Sequence, residues 1–261
     1  MPDTSAAERK RLAQSQFARS AAAYVVSKTH AAGADLERMI ELADPRPADR
    51  ALDVATGGGH VARALIGRVR EIVVADLTLE MLRAALDFLK SAGANQLHAV
   101  ITDAEAMPLA TGAFDLVTCR IAPHHFPSPE RFVEEVARVL APGGRFALVD
   151  STVPEGEVGE FFNEFERLRD LSHVRSLTIR EWEELIRAAG LTLLATETFP
   201  KRHDFDDWTA RMRVSPDTKA ELTRRMREAS AEVHAAYQPE WEGERLVAFT
   251  DTKTLFVALR P

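Results

Sequence analysis

The sequence contains a single cysteine, Cys119, among its 261 residues. One thiol excludes a disulfide framework or a multi-cysteine metal site within one chain, and it is typical of a reducing compartment. The sequence also lacks any apolar run near the roughly 20 residues that a membrane span requires. Its first residues lack the apolar segment of a secretion signal. We therefore expect a cytoplasmic protein that has no membrane partner.

Positive charge is the second deficit. Lys and Arg total 33 against 40 Asp and Glu, which gives a net charge of -7 and a pI of about 5.7. This balance excludes the global positive field that steers proteins to nucleic acid. Basic residues cluster at 9–11 and 224–227 with acids nearby, and we interpret both clusters as solvated helix faces. No nucleic-acid partner is expected.

Between residues 45 and 150, short apolar runs alternate with helical patterns. The runs occupy residues 51–55, 71–76, 97–102, 114–119 and 145–150. A run such as 72–75 is apolar at every position, which is typical of a strand buried on both faces of a sheet. Strands separated by helices predict a doubly wound α/β fold, in which a parallel sheet carries helices on both faces.

The flanking segments have a different rhythm. Residues 191–199 have the pattern of a sixth strand, and 246–259 return to strand character after a long polar, mostly helical segment. The chain is therefore expected to divide into an N-terminal helical segment (1–44), a core (45–199 plus 244–261) and a helical insertion (200–243).

The local sequence marks the start of one helix. Thr178 is followed three residues later by Glu181, which is the pattern of a capping box. The helical pattern then continues to Ala189 and ends at Gly190.

A glycine-rich motif, residues 53–60, lies between the first predicted strand and the helix after it. Glycines allow a tight turn and a close approach to a ligand, and the helix N-terminus presents unpaired N–H groups. A purely structural turn is the alternative. The position between strand and helix favours ligand binding.

Two acidic residues follow the next two strands. Asp76 lies at the end of the second strand, where a carboxylate can accept hydrogen bonds from the ribose of a nicotinamide or adenosylmethionine cofactor. A cap for the next helix is the alternative role. Asp103, with Ala104, follows the third strand and can accept from an adenine amino group, or it can simply cap a turn.

Together these segments resemble the class I S-adenosylmethionine-dependent methyltransferases, especially the branch of the ubiquinone and menaquinone biosynthesis methyltransferases and their small-molecule relatives. The resemblance covers roughly residues 45–150. Five blocks carry it in order: 52–59, 74–76, 102–105 with 107–109, 114–117, and 135–144. The last block is the most specific, and a nicotinamide dehydrogenase would not need it.

The resemblance implies a seven-stranded, mostly parallel sheet with helical lid insertions. Its last strand, near residues 255–259, would be antiparallel and lie beside the sixth. The resemblance also implies that the chain binds S-adenosylmethionine. The residues implied to hold it are Tyr24, Asp53, Ala55, Thr56, Gly57, Gly59, Asp76, Leu77, Met81, Asp103, Ala104 and Arg120.

In this pattern Asp53 lies near the amino group of the methionine moiety, and Gly57 and Gly59 line that moiety. The family usually has a glycine where this chain has Ala55. The departure costs little if the φ angle of Ala55 is negative.

The other implied contacts concern the nucleoside. Asp76 would bind the ribose, with Leu77 against the adenine, and Asp103 and Ala104 would meet the adenine edge. The N-terminal segment resembles the helix that folds over the cofactor in these relatives, so Tyr24 would close that lid or pack in the core.

The loop after the fourth strand contains His124 and His125. Ligands of open α/β sheets bind outside the carboxyl ends of the strands, so this loop should face the transferred methyl group. A histidine can take a proton from the acceptor, and we favour His125 as the catalytic residue, with His124 as the alternative. Both could instead pack the loop, because alignment alone supplies much of the rate of an in-line transfer. Adjacent histidines without further ligand spacing predict no metal site.

The later segments contain further candidates for the acceptor pocket. His173 and Arg175 could line the pocket or bind an acidic group, or they could belong to a surface salt-bridge cluster. Trp208, Tyr237 and Trp241 are candidate walls of a substrate lid, or parts of a local core.

The expected function is transfer of a methyl group from S-adenosylmethionine to a small-molecule acceptor, with release of S-adenosylhomocysteine. The resemblance favours C- or O-methylation. Two alternatives stay open, because a fold does not fix a function. The chain could use bound S-adenosylmethionine for other chemistry, such as cyclisation, or it could be a non-catalytic binding module. We expect a monomer or a homodimer.

Overall fold

The computed structural model describes residues 5–18 and 33–261. Its helices are α1 (Ala6–Ala18), α2 (Ala34–Ala43), α3 (His60–Leu65), α4 (Leu79–Ser91), α5 (Pro129–Val139), α6 (Glu157–Arg169), α7 (Ile179–Ala188), α8 (Phe205–Arg211), α9 (Pro216–Glu228) and α10 (Ala231–Tyr237). A 3-10 turn covers Pro123–His125. Its strands are β1 (Arg50–Val54), β2 (Glu71–Asp76), β3 (Leu97–Ile101), β4 (Phe114–Arg120), β5 (Leu140–Thr152), β6 (Thr192–Asp204), β7 (Glu240–Glu242) and β8 (Arg245–Leu259).

These strands form one sheet in the order β3-β2-β1-β4-β5-β8-β6, and β7 pairs with β8. The strands from β1 to β5 are parallel, and β8 runs antiparallel between β5 and β6. The predicted doubly wound fold, with an antiparallel last strand beside the sixth, is confirmed. The strand order reverses between β1 and β4, and such a reversal opens a crevice at the carboxyl ends of the strands.

The central strands are buried on both faces, as their apolar runs predict. Leu52 and Val54 belong to a core cluster on one face, where α5 and α7 pack. Ala51 belongs to the cluster on the opposite face, where α2, α3 and α4 pack. Neighbouring residues of one strand point to opposite faces, so a single apolar run supplies both cores.

The part of the sheet formed by β6, β7 and β8 differs from the sequence prediction. β6 continues to Asp204, beyond residue 199, and the segment expected to be helical also contributes β7, so the sheet has eight strands rather than seven. The polar residues at the end of β6 have no apolar strand pattern. Pairing with β8, as between Lys201 and Asp251, holds them in the sheet. Tertiary pairing here overrides local propensity.

A third apolar cluster joins α8, α9 and α10 to α6 and to the end of the sheet. Tyr237 stacks on Phe162 with ring centroids 4.4 Å apart, and Trp208 stacks on Phe165 at 5.3 Å. Trp241 packs against the same cluster. All three aromatic candidates of the insertion therefore contribute to a local core, and Trp208 also lines a cleft at the carboxyl ends of the parallel strands.

The predicted capping box is confirmed. The Glu181 backbone N–H donates to Thr178 Oγ1 at 3.1 Å, and the Thr178 N–H donates to the Glu181 carboxylate at 2.8 Å. The helix ends at Ala188, and Gly190 has a φ of 80°. No helix in the described ranges is long and apolar enough to cross a bilayer.

Candidate active site

One cleft lies where the crevice is expected, at the carboxyl ends of the parallel strands. It brings together most of the site residues predicted from sequence. Those that line it are Ala55, Gly57, Asp76, Leu77, Met81, Asp103, Ala104, Arg120, His124 and His125. Asp53, Thr56 and Gly59 lie behind its wall, where all three are buried. Tyr24 lies outside the described residues.

The glycine-rich loop between β1 and α3 has three left-handed positions. Ala55, Gly57 and Gly59 have φ angles of 51°, 53° and 80°. Such angles suit glycine and strain a residue that carries a Cβ. The condition under which Ala55 would cost little, a negative φ, is therefore not met. The Thr56 N–H donates to the Ala75 carbonyl at 3.0 Å and anchors the strained loop to β2.

Gly57 and Gly59 differ in what a side chain at each position would contact. A Cβ at Gly57 would meet no atom within 4 Å, so the backbone there is open to the cleft. A Cβ at Gly59 would meet Ala85 and Leu89 at 3.4 Å. Gly59 thus allows α3 to begin close against α4. Of the two, Gly57 is the one placed to touch a ligand.

Asp53 supports the loop from beneath. Its side chain is 1% exposed, and its two oxygens accept hydrogen bonds from Thr56 Oγ1 at 2.6 Å and Thr118 Oγ1 at 2.8 Å. Burial raises the pKa of Asp53 to about 6, although both hydroxyls oppose the shift. The carboxyl thus connects the loop to β4, across the point between β1 and β4 where the strand order reverses.

Asp76 holds the loop from the side of β2. Its Oδ2 accepts from the Gly57 N–H at 3.0 Å, and its Oδ1 accepts from the Thr78 N–H at 2.9 Å. Burial raises the pKa of Asp76 above its ordinary value, against the pull of these hydrogen bonds. Thr78, not Asp76, is the N-cap residue of α4. The carboxylate lines the cleft and is only partly buried.

Helix α1 covers this half of the cleft. Lys10 Nζ donates to Asp103 Oδ2 at 2.6 Å and also contacts the Glu105 carboxylate. Gln14 Nε2 donates to the Leu77 carbonyl at 3.0 Å. Phe17 meets the His125 ring edge-on, with centroids 5.0 Å apart. The helix thus spans the cleft from the Asp103 side to the histidine side.

Arg120 lies at the end of β4 and makes a two-pronged contact with Asp35 of α2. Its Nε and Nη2 lie 2.8 Å and 2.7 Å from Asp35 Oδ2. Both side chains are buried, so this pair fixes α2 beside the cleft. A Cβ at Gly33, the residue before α2, would meet Asp35 Oδ1 at 2.5 Å.

His124 is paired with a buried carboxylate. Its Nδ1 lies 2.6 Å from Asp150 Oδ1, and Asp150 has no exposed surface. The His124 carbonyl accepts from the Val174 N–H at 2.9 Å, which fixes the loop against the segment after α6. Asp150 was missed from sequence, although an acid at the carboxyl end of β5 is the signal that would have pointed to it.

His125 is held differently. Its Nδ1 lies 3.1 Å from the Ser172 carbonyl and 3.2 Å from Ser172 Oγ. Ser172 Oγ in turn donates to Asp170 Oδ1 at 2.6 Å. Burial, with the neighbouring His124, lowers the pKa of His125 to about 4. Its ring is therefore neutral at pH 7.

The other two candidates near this loop, His173 and Arg175, differ in burial and in their partners. His173 is buried, and its Nε2 lies 2.9 Å from Asn163 Oδ1, so it braces the wall behind His124. Arg175 is exposed and donates to Glu181 at 2.6 Å, as the salt-bridge interpretation proposed. Within the described ranges, no three His, Cys, Asp or Glu side chains are arranged to hold a metal ion.

Known proteins resemble this chain in sequence. Residues 52–148 match the model of a family described as a methyltransferase domain. The uncharacterized methyltransferase YcgJ of Bacillus subtilis is 35% identical over 225 residues, which cover 86% of this chain and 89% of that protein. The ubiquinone/menaquinone biosynthesis C-methyltransferase UbiE of Ectopseudomonas mendocina is 34% identical over 119 residues, 44% of this chain and 46% of the relative.

Solved structures show the same likeness. A crystal structure from Bacillus halodurans superposes with a TM-score of 0.85 at 38% identity, and the match covers 88% of this chain and 100% of the other. The structure of YcgJ superposes with a TM-score of 0.84 at 32% identity, covering 87% and 97%. The likeness therefore extends well beyond the central motifs and into the helices around the cleft.

The left-handed Ala55 predicts a stabilising substitution. A Cβ in this conformation costs about 1–2 kcal/mol, and glycine gives back about 0.5–1 kcal/mol through the entropy of the unfolded chain. Ala55→Gly should therefore raise the free energy of unfolding by about 0.5–1 kcal/mol, measured by urea denaturation. Ala51→Gly, in the extended part of β1, is the matched control and should destabilise. A lower free energy of unfolding in Ala55→Gly would show that the Ala55 backbone is not strained.

The buried Asp53 predicts a pH dependence. A carboxyl whose folded pKa is about 6 against an ordinary 3.8 favours folding when protonated. That contribution is fully present below pH 3.8 and is lost as the pH rises through 6. Asp53→Asn does not titrate, so its stability relative to the unsubstituted chain should rise by up to about 3 kcal/mol between pH 4 and 8. Urea denaturation across this range measures it, with Asp87→Asn on the exposed face of α4 as control. Parallel stability curves for Asp53→Asn and the unsubstituted chain would refute the prediction.

Proposed function

We propose that this chain, which belongs to the class I S-adenosylmethionine-dependent methyltransferases, methylates a small-molecule acceptor at oxygen or carbon. The observation that carries the proposal is one cleft with two chemically different halves. One half has carboxylates and an apolar wall that suit a nucleoside. The other has a histidine paired with a buried carboxylate, which suits removal of a proton from the acceptor.

The donor half fits S-adenosylmethionine through its acids. Asp76 lines the cleft and has no cationic partner among the described residues, so its carboxylate can accept from the ribose hydroxyls. Asp103 lies farther along the same wall, where it would accept from the adenine amino group. Its contact with Lys10 would hold α1 over the bound nucleoside. Asp76 and Asp103 are therefore the proposed polar anchors.

The apolar parts of the donor half fit the same ligand. Leu77, Met81 and Ala104 line the wall between the two acids, and they would enclose the adenine ring. Gly57 leaves the backbone open beside the Asp76 carboxylate, so a ligand can approach there without meeting a side chain. Asp53 would act on the ligand indirectly, through the loop that it supports.

S-adenosylmethionine supplies a methyl group that is bonded to a positively charged sulfur. The acceptor atom forms a bond to this methyl carbon as the sulfur–carbon bond breaks. The chain contributes alignment of the acceptor with that methyl group. It also contributes a base, because a hydroxyl or an acidic carbon must lose a proton as the new bond forms. The buried Asp150 and the adjoining His124 provide the base in this proposal.

The geometry of His124 favours it as the base. A carboxylate accepts hydrogen bonds, so the Nδ1–H of His124 donates to Asp150, and in the neutral ring Nε2 has a lone pair. In the proposed step Nε2 takes the proton from the acceptor, and Asp150 stabilises the imidazolium that forms. Methyl transfer then yields S-adenosylhomocysteine and the methylated acceptor, and the proton leaves His124 for solvent.

His125, which the sequence favoured, is the second candidate. The Ser172 carbonyl can only accept, so Nδ1 of His125 carries the hydrogen and donates to it. Its direct partner is a neutral carbonyl, and the Asp170 carboxylate lies one hydrogen bond farther away, beyond Ser172. An imidazolium on His125 would therefore be stabilised less directly than one on His124. We propose that His125 holds the loop between Ser172 and Phe17 of α1.

The cover formed by α1 supports a small acceptor. Lys10, Gln14 and Phe17 contact the cleft at the Asp103, Leu77 and His125 walls respectively. This cover favours an acceptor that fits within the cleft over one that extends beyond it. The net charge of -7 also gives no long-range attraction to nucleic acid.

Asp76 provides a test of the donor half. Asp76→Ala removes the proposed acceptor for the ribose and the hydrogen bond that holds Gly57, so the affinity for S-adenosylhomocysteine should fall by about 10-fold or more. Calorimetric titration measures the change, with Asp87→Ala as a control that removes an acid elsewhere on the surface. No binding by the unsubstituted chain would sink the proposed function.

His124 provides a test of the acceptor half. Methyl-labelled S-adenosylmethionine is incubated with the protein and a fractionated extract of small molecules, and the labelled product is collected. His124→Gln and Asp150→Asn should each slow labelling by about 100-fold or more, and both should bind S-adenosylhomocysteine as before. His98→Gln, on the exposed edge strand, is the control.

The outcomes of this labelling experiment separate the alternatives. Label in a small molecule together with S-adenosylhomocysteine supports methyl transfer. Accumulation of methylthioadenosine instead would point to cyclisation, and binding without any product would point to a non-catalytic module. Full activity in His124→Gln, with loss in His125→Gln, would move the base to His125.

A further inference from the structure

The acceptor half of the cleft has a polar floor formed by the ends of β5 and β6 and the middle of β8. We call it the polar ledge and define it by Ser151, Lys201, His203, Asp251 and Lys253. All but Asp251 line the cleft. Neither the glycine loop nor the histidine loop contributes to it. The proposed methyl transfer leaves the ledge without a role.

Strand register explains how the ledge is built. Val149 pairs with Leu255 across β5 and β8, and both are buried in the second core cluster. Side chains two positions apart share a face, so the same face continues with Ser151 opposite Lys253. The face therefore changes from apolar to charged at the point where the cleft begins.

The centre of the ledge is a buried ion pair. Lys253 Nζ donates to Asp251 at 2.6 Å and to Ser151 Oγ at 2.5 Å. Burial alone would raise the pKa of Asp251, but the adjacent Lys253 and His203 lower it well below its usual range. Asp251 is therefore ionised, and its negative charge lies against the Lys253 ammonium group. Burying an ion pair stabilises a fold little, which makes a role in binding a better reason for its presence.

His203 contacts the ion pair from β6. Its side chain is 8% exposed, and its Nε2 lies 3.0 Å from Asp251 Oδ1. Asp251 is thus enclosed by Lys253 and His203, and it does not line the cleft, where its charge would repel an anion.

Lys201 supplies the uncompensated charge. It lies directly opposite Asp251 in the β6–β8 register, beside an acid that Lys253 already neutralises. Within residues 5–18 and 33–261, its ammonium group makes no hydrogen bond or ion pair. Its side chain is half-buried and lines the cleft. An ammonium group in this position attracts an anion.

The other charged groups facing this half of the cleft have partners. Arg169 Nη2 lies 2.7 Å from the Glu166 carboxylate, Asp170 accepts from Ser172, and Lys253 is paired with Asp251. Lys201 has no such partner among the described residues.

We infer that the methyl acceptor carries an acidic group, a carboxylate or a phosphate, and that Lys201 binds this group on the polar ledge. This inference rests on the proposed methyl transfer, since it names the class of acceptor. Anchoring the acid at one end of the acceptor would orient its nucleophilic atom toward His124, and such alignment is what an in-line transfer requires. Lys201 is then a residue that determines specificity.

The test titrates protein loaded with S-adenosylhomocysteine with acetate, inorganic phosphate and neutral acetamide at constant ionic strength. Ring NMR signals of His203 report binding at the ledge, and those of the exposed His98 serve as an internal reference. Acetate or phosphate should bind saturably and at least about 10-fold more tightly than acetamide. The stronger of the two anions identifies the acidic group as carboxylate or phosphate.

Variants assign the effect to Lys201. Lys201→Met should weaken anion binding by about 10-fold or more, and Lys201→Arg should restore most of it. Lys90→Met, on the exposed face of α4, should change nothing. Affinity for S-adenosylhomocysteine should be the same in all of these variants.

Two results would overturn the inference. Anions that bind no better than acetamide would show that the ledge has no anion site, and this comparison needs no variant. Equal anion binding by Lys201→Met and the unsubstituted chain would remove Lys201 from the site. Both results are distinct from a failure of the proposed function, which would appear as absent S-adenosylhomocysteine binding in the parallel calorimetric titration.

Discussion

The hydrogen bonds of one buried carboxyl organise this site. Asp53 lies at the end of β1, where the strand order reverses, and it joins Thr56 of the loop to Thr118 of β4. Because the loop is tied to both neighbouring strands, Gly57 is held open to the cleft and within reach of Asp76. β4 continues from the same anchor into the turn that carries His124. The donor and acceptor halves thus share a single buried support.

The two halves differ in the charge that they leave for a ligand. In the donor half, Asp103 is paired with Lys10, whereas the Asp76 carboxylate accepts from Gly57 and Thr78 and has no cationic partner among the described residues. In the acceptor half, Asp150 is paired with His124 and Asp251 with Lys253, and Lys201 has no acidic partner within the described ranges. This division suits a cationic nucleoside on one side and an anionic acceptor on the other.

Sequence and structure agree best in the parallel strands, because a continuous apolar run in this context indicates a buried strand. Continuous apolar runs occur where a strand is buried on both faces, so the five parallel strands and the loop after β1 could be predicted. The same reasoning failed at the end of β6, because Lys201 and His203 are polar and only their pairing with β8 makes them strand residues. It also left open whether Ala55 is strained, because the sign of its φ, which is 51° in the structure, depends on how the loop folds.

By itself, the sequence determined the doubly wound core, the glycine loop with Asp76 and Asp103, and the family, because local order and spacing encode these features directly. Only the tertiary structure decided which histidine faces a carboxylate, since Asp150 is distant in sequence and reaches His124 through the adjacency of β4 and β5. It alone assembled the polar ledge, whose members come from three strands that meet only in the folded sheet. Local sequence patterns do not indicate which distant residues come into contact, so the arrangement of the acceptor half follows only from the folded structure.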